Sequence, residues 1–186
     1  DEVDKVTRTL EELLKRLEEE NRKMIEDDKR LNEELNKENR RVEETLRKLL
    51  KELEDIRKDL KDKKTLDEII KRIKERVDKL IRDSERLNDE IKKRSKKLID
   101  DSRERNEDIL RKAEELIKRL REKVREKKEV KEKIDRLEKR IRDAIRELNE
   151  RNKKALDDSE RNVRELNKRN ERLREEVERK IRELER

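Results

Sequence analysis

The feature that most constrains this chain is its eighteen-residue repeat. Leu80-Ile81-Arg82-Asp83-Ser84 and Leu87-Asn88 return as Leu98-Ile99-Asp100-Asp101-Ser102 and Arg105-Asn106, and Ile91 returns as Ile109. Leu148-Asn149-Glu150-Arg151-Asn152 likewise returns as Leu166-Asn167-Lys168-Arg169-Asn170. Such a repeat makes five turns of an undistorted α-helix at about 3.6 residues per turn. Residues so spaced stack on one unchanging face, which predicts long helices that stay close to straight.

The apolar positions of the first third agree. Val3, Leu10, Leu17, Met24 and Leu31 form a seven-residue ladder; a second runs from Leu14 to Ile56 and a third from Ile25 to Leu60. Successive ladders, starting at Val3, Leu14 and Ile25, are offset by an eleven-residue step. A seven-residue repeat alone winds helices to the left and an eleven-residue repeat to the right, so alternating them cancels the drift. The stripe that results is roughly 120–140° wide, the width of a core-facing helix face. Met24 reads as a gap-filling core residue, and Thr7 and Thr9 follow apolar residues already on the stripe, so the helix is expected to begin before them.

Two interruptions divide the chain. At Lys61-Asp62-Lys63-Lys64 the stripe jumps around the helical wheel, and Thr65 with Glu68 has the spacing of a capping box. At Glu126-Lys127-Lys128-Glu129 a polar run coincides with a smaller shift. The expectation is a single all-α domain over residues 1–186, with helices at about 1–61, 65–126 and 129–186. Short connections make successive helices antiparallel, giving an elongated up-down-up three-helix bundle with rods of roughly 90 Å.

Each stripe is apolar toward its ends and polar in its middle. The polar core positions are Asn21, Asp28, Asn32 and Asn39 in the first helix and Ser84, Asn88, Ser95, Ser102 and Asn106 in the second. In the third they are Asn152, Ser159 and Asn170, with Asn149, Asn162 and Asn167 at the stripe edges. Antiparallel folding pairs first- and second-helix residues whose numbers add to about 126, and second- and third-helix residues adding to about 255. Asn21 is then expected near Asn106 and Asn149/Asn152, Asn32 near Ser95 and Ser159, and Asn39 near Ser84/Asn88 and Asn167/Asn170. An unpartnered buried amide or hydroxyl costs about 1–3 kcal/mol, so such layers persist as hydrogen-bonded networks. Their expected role is to fix register and helix number at some cost in stability. Asp28, as a buried carboxylate in line with Leu10 and Leu46, needs donors most.

Composition closes most routes to chemistry. The chain has no His, Cys, Gly, Pro or aromatic residue, and 63% of it is charged. That excludes the common zinc sites, the usual nucleophilic triads and phosphate-cradling glycine loops, and no second carboxylate accompanies Asp28 in the central stripe. No catalytic, metal or cofactor site is therefore expected. The net charge of +7 comes from 62 basic and 55 acidic residues, closely interleaved. Residues 1–61 hold 17 basic and 20 acidic residues, so the excess lies in the remainder. Such interleaving makes a solvated, ion-paired helix surface rather than a phosphate track, and nothing can stack on a base. Neither nucleic acid, a membrane nor a small-molecule substrate is an expected partner. The apolar runs fall far short of the roughly 18 residues a membrane span needs, and no signal peptide is visible, so a soluble chain without a targeting address is expected.

The repeat, the Glu/Lys/Arg surface and the aligned Asn/Ser layers resemble computationally designed helical bundles. The similarity is to straight, parametrically generated bundles with buried hydrogen-bond networks, and it covers the whole chain. It departs in having loops without Gly or Pro. It implies a synthetic protein with no natural substrate, made to test folding, stability or pairing specificity. Some such designs are the three-helix half of a heterodimer that receives a partner helix; a self-associating bundle is a further form. Spectrin-like repeats, the natural alternative, usually carry aromatics, His and irregular periodicity, all missing here.

Overall fold

A computed structural model describes residues 2–59, 62–125 and 127–186. They form three helices: α1 (Glu2–Asp59), α2 (Lys63–Lys123) and α3 (Lys128–Glu185). The end of the Ile25 ladder, Leu60, lies outside the described residues, as do Asp1, Lys61 and Glu126. Glu2 and Asp4 in the first turn of α1, and Arg121 and Lys123 in the last turn of α2, complement the helix dipoles. Thr7 and Thr9 sit inside α1, where their hydroxyls donate back to the carbonyls of Val3 (2.7 Å) and Lys5 (3.0 Å).

The start of α2 differs from the sequence expectation. The helix begins at Lys63, and Asp62, not Thr65, caps it. The Lys64 amide donates to Asp62 Oδ1 (3.2 Å), and Leu66 N donates to the Asp62 carbonyl (3.1 Å), closing the first turn. The Thr65 hydroxyl, expected to take an amide proton, instead donates to Asp62 Oδ2 (2.9 Å). Asp ranks above Thr as an N-cap, and standing three residues earlier in the chain it starts the helix earlier, although the two lysines that follow oppose the helix dipole. The second connection is a turn at Val124 and Arg125, with Lys127 N donating to the Val124 carbonyl (3.3 Å). No described residue has positive φ.

The chain divides into two compact units, each drawing on all three helices. The first takes α1 up to Lys29 with Ser95–Asp158. Its core is Leu10, Leu14 and Leu17 of α1, Ile109, Ala113, Ile117 and Leu120 of α2, and Ile134, Ile141, Ile145 and Leu148 of α3. Lys123 meets Glu2 (2.9 Å) while Asn106 meets Asn21 (2.8 Å), so α1 and α2 run antiparallel. The Lys123 hydrogen bond and charge hold the Glu2 carboxyl below its ordinary value. Arg121 pairs with Asp135 (2.7 Å) and Arg142 with Glu114 (3.2 Å), which sets α3 antiparallel to α2.

The second unit is Arg30–Arg94 with Ser159–Arg186. One apolar cluster joins Leu35, Ile91, Val163 and Leu166; another joins Leu46, Leu49 and Leu53 to Ile70, Ile73, Val77 and Ile81 and to Leu173, Val177 and Ile181. Arg169 pairs with Glu43 (3.0 Å) and Lys180 with Glu54 (3.5 Å), so α1 and α3 run parallel. Both units are thus up-down-up three-helix bundles. Fully burying a Leu or Ile side chain stabilises by about 1.5–3 kcal/mol. These clusters therefore supply most of the drive to fold. Among the described residues no large hydrophobic side chain is exposed.

Candidate functional site

The groups with chemistry to offer are the polar residues inside these cores. In the first unit Asn21, fully buried, is the hub. Its Nδ2 donates to the Leu17 carbonyl (2.7 Å) and to Asn106 Oδ1 (2.8 Å). Its Oδ1 accepts from Ser102 Oγ, Asn106 Nδ2 and Asn152 Nδ2, each at 3.1 Å. Asn106 also donates to Asn149 Oδ1 (3.2 Å) at the core edge, and Asn152 to Ser102 Oγ (3.4 Å). The back-bond to Leu17 is one helical turn away and aims the Asn21 amide across the bundle.

In the second unit every one of these contacts recurs, between residues eighteen positions away in the sequence. Asn39 donates to the Leu35 carbonyl and Asn88 Oδ1, both 2.8 Å. It accepts from Ser84 Oγ (3.0 Å), Asn88 Nδ2 (3.4 Å) and Asn170 Nδ2 (3.4 Å). Asn88 donates to Asn167 Oδ1 (2.7 Å) and Asn170 to Ser84 Oγ (2.8 Å). The sequence repeat is a repeat of one network. Each copy leaves the same atom without a partner, Asn152 Oδ1 in one and Asn170 Oδ1 in the other. Neither amide can be reversed to remedy this, because each nitrogen faces an Asn oxygen and a Ser hydroxyl already committed as a donor.

The remaining polar positions form other pairs. Ser95 donates a short hydrogen bond to the buried Asp28 carboxylate in the first unit. In the second unit Asn32 donates to Ser159 Oγ (2.9 Å), and Asn162 donates to Asn32 Oδ1 (3.3 Å) and Asn36 Oδ1 (3.0 Å). Asn36 is the one participant that the apolar stripe did not single out. It stands one turn beyond Asn32, the spacing at which side chains share a helix face, and that spacing was the available signal.

Among the described residues no three carboxylates converge as metal ligands, and no helix is long and apolar enough to cross a membrane. Surface grooves are lined by interleaved charges. One of about 520 Å³ lies over Ile117, and its Glu114, Glu138 and Arg142 are already joined in ion pairs.

The comparisons agree with the geometry. No protein-family model and no curated protein matches the chain. A solved structure described as a computationally designed three helix bundle superposes with a TM-score of 0.73, covering 98% of this chain and 88% of its own, at 25% sequence identity. The chain is a three-helix bundle with buried Asn/Ser hydrogen-bond networks, and it resembles a computationally designed one.

Proposed function

We propose that this protein is a structural scaffold without enzymatic activity, whose role is to adopt its fold as a single chain, with the Asn/Ser layers fixing register and helix number. One observation carries the reading: in each unit the three apolar faces cover one another, leaving no large hydrophobic side chain exposed among the described residues. A partner helix gains its affinity from apolar area that both sides must bury, and a face already covered offers little. The test is the solution mass by light scattering across a range of concentrations. A constant 23.2 kDa supports the scaffold. A defined dimer, or a mass that climbs with concentration, refutes it and turns the protein into an interaction module that binds another chain.

A further inference from the structure

The positive charge of this chain is not spread evenly along it. Residues 118–142 hold 13 basic and 6 acidic residues, an excess of +7 that equals the net charge of the whole chain. Taking these from the 62 basic and 55 acidic residues leaves 49 of each sign everywhere else. The interleaving that argues against a phosphate track therefore describes the rest of the sequence and fails in this one stretch.

The fold gathers the stretch at one end of the first unit, where it comprises the end of α2, the turn at Val124 and Arg125, and the start of α3. All 13 cations are exposed. Arg121 is paired with Asp135 and Glu138, Lys123 with Glu2, and Arg142 with Glu114 and Glu138. The other ten, among them Lys118, Arg125, Lys131 and Lys139, form no ion pair with a described residue. Lys118 and Arg125 line the groove over Ile117, where Glu114 and Glu138 are already neutralised and Glu122 is the one further carboxylate. The start of α1 brings Glu2, Asp4, Glu11 and Glu12 against Lys5 and Arg8, which lowers the excess without removing it.

Cations crowded together without enough carboxylates repel one another, and a dense anion relieves that repulsion. A nucleic-acid duplex presents one phosphate charge per about 1.7 Å of its axis, and cations that neutralise those charges release condensed counterions. Two features favour the duplex backbone over other polyanions. The chain has no aromatic side chain on which the bases of a single strand could stack. Among the described residues no large hydrophobic side chain is exposed to enter a lipid surface.

We infer that the α2–α3 end of the first unit is a binding surface for the phosphate backbone of double-stranded nucleic acid, without sequence preference. The surface goes beyond the scaffold role and does not depend on it. Fluorescence anisotropy measures binding to two labelled DNA duplexes of unrelated sequence, and to one of their single strands, at about 50 and 200 mM salt. Wild type is expected to bind both duplexes alike and the single strand more weakly. Its affinity is expected to fall about a hundredfold over that salt range, as four or more neutralised phosphates require. The joint variant Lys118→Glu, Arg125→Glu, Lys131→Glu and Lys139→Glu is expected to bind at least about tenfold more weakly than wild type. A control of the same net charge, Lys48→Glu, Lys51→Glu, Lys71→Glu and Arg76→Glu, changes exposed residues of the second unit and is expected to stay within about threefold of wild type.

Circular dichroism establishes that each variant is folded. If a Glu set does not fold, Gln at the same positions in both variants is expected to give the same order, with the α2–α3 set the weaker binder. No duplex binding by wild type at low salt overturns the inference. Equal losses in the two variants overturn it as well, because total charge would then be the cause. Tighter binding of the single strand, or a strong preference for one duplex, has the same consequence. Binding to vesicles of phosphatidylcholine and phosphatidylserine without binding to duplex also overturns it and assigns the surface to a membrane.

Discussion

At Asn21 a single carboxamide oxygen takes hydrogen bonds from three side chains, while the oxygen of Asn152, in the same layer, takes none. An amide oxygen has two lone pairs, so the layer is unevenly satisfied and its members are not equivalent. Removing the hub leaves the buried Asn106, Ser102 and Asn152 short of a partner, whereas removing Asn152 also removes the unpaired acceptor. Unpaired buried groups cost about 1–3 kcal/mol each. Asn21→Ala is therefore expected to destabilise by about 3 kcal/mol or more and Asn152→Ala by about 1 kcal/mol. The same order is expected at Asn39→Ala and Asn170→Ala. Urea unfolding midpoints decide the point, and equal losses at hub and rim positions would count against the hub assignment.

Among the elements, the helices were legible because two independent periods agreed. The eighteen-residue repeat named the faces, and the seven-residue ladders placed the apolar stripe on them. The pairing rule was legible too. Asn21 with Asn106 and Asn39 with Asn88 follow from the positions of the two turns alone. What the pattern did not resolve was the first residue of α2. Asp62 and Thr65 are both good caps, close together in sequence, and choosing between them takes the backbone geometry of a turn that has no Gly or Pro to mark it. The two candidates make different predictions. Asp62→Ala removes the acceptor for the Lys64 amide and is expected to cost about 1 kcal/mol, while Asp62→Asn keeps most of it. Thr65→Ala loses only a hydroxyl that donates to the exposed Asp62 carboxylate, and its cost is expected to be smaller. Thermal melts of the three variants order them, and a larger loss for Thr65→Ala would restore the capping box.

For the whole molecule, surface charge is a weak lever on stability. The ion pairs the helices make with one another, such as Arg169 with Glu43 and Lys74 with Glu185, involve partly exposed groups, and such pairs contribute about 0–1 kcal/mol each. The balance therefore lies between apolar clusters that drive folding and polar layers that oppose it while selecting one arrangement. The pairing of Asn21 with Asn106 and of Asn39 with Asn88 could be read from the sequence, while the Asn162 contacts to Asn32 and Asn36 could not; that one network is used twice could not be shown until both sets of contacts were seen. Replacing a buried polar group by a well-packed apolar one is often neutral or stabilising, provided all its partners go with it. Replacing Asn21, Asn39, Ser84, Asn88, Ser102, Asn106, Asn152 and Asn170 together by Leu or Ile removes every buried partner in both layers at once. The expected result is a higher unfolding midpoint in guanidinium chloride, in contrast to the losses predicted for the single Ala variants. Leu and Ile at all these positions no longer distinguish one register or helix number from another, so the mass is expected to spread over several oligomeric states. A variant that is both less stable than wild type and strictly of single-chain mass would mean that the layers contribute to stability and not to specificity.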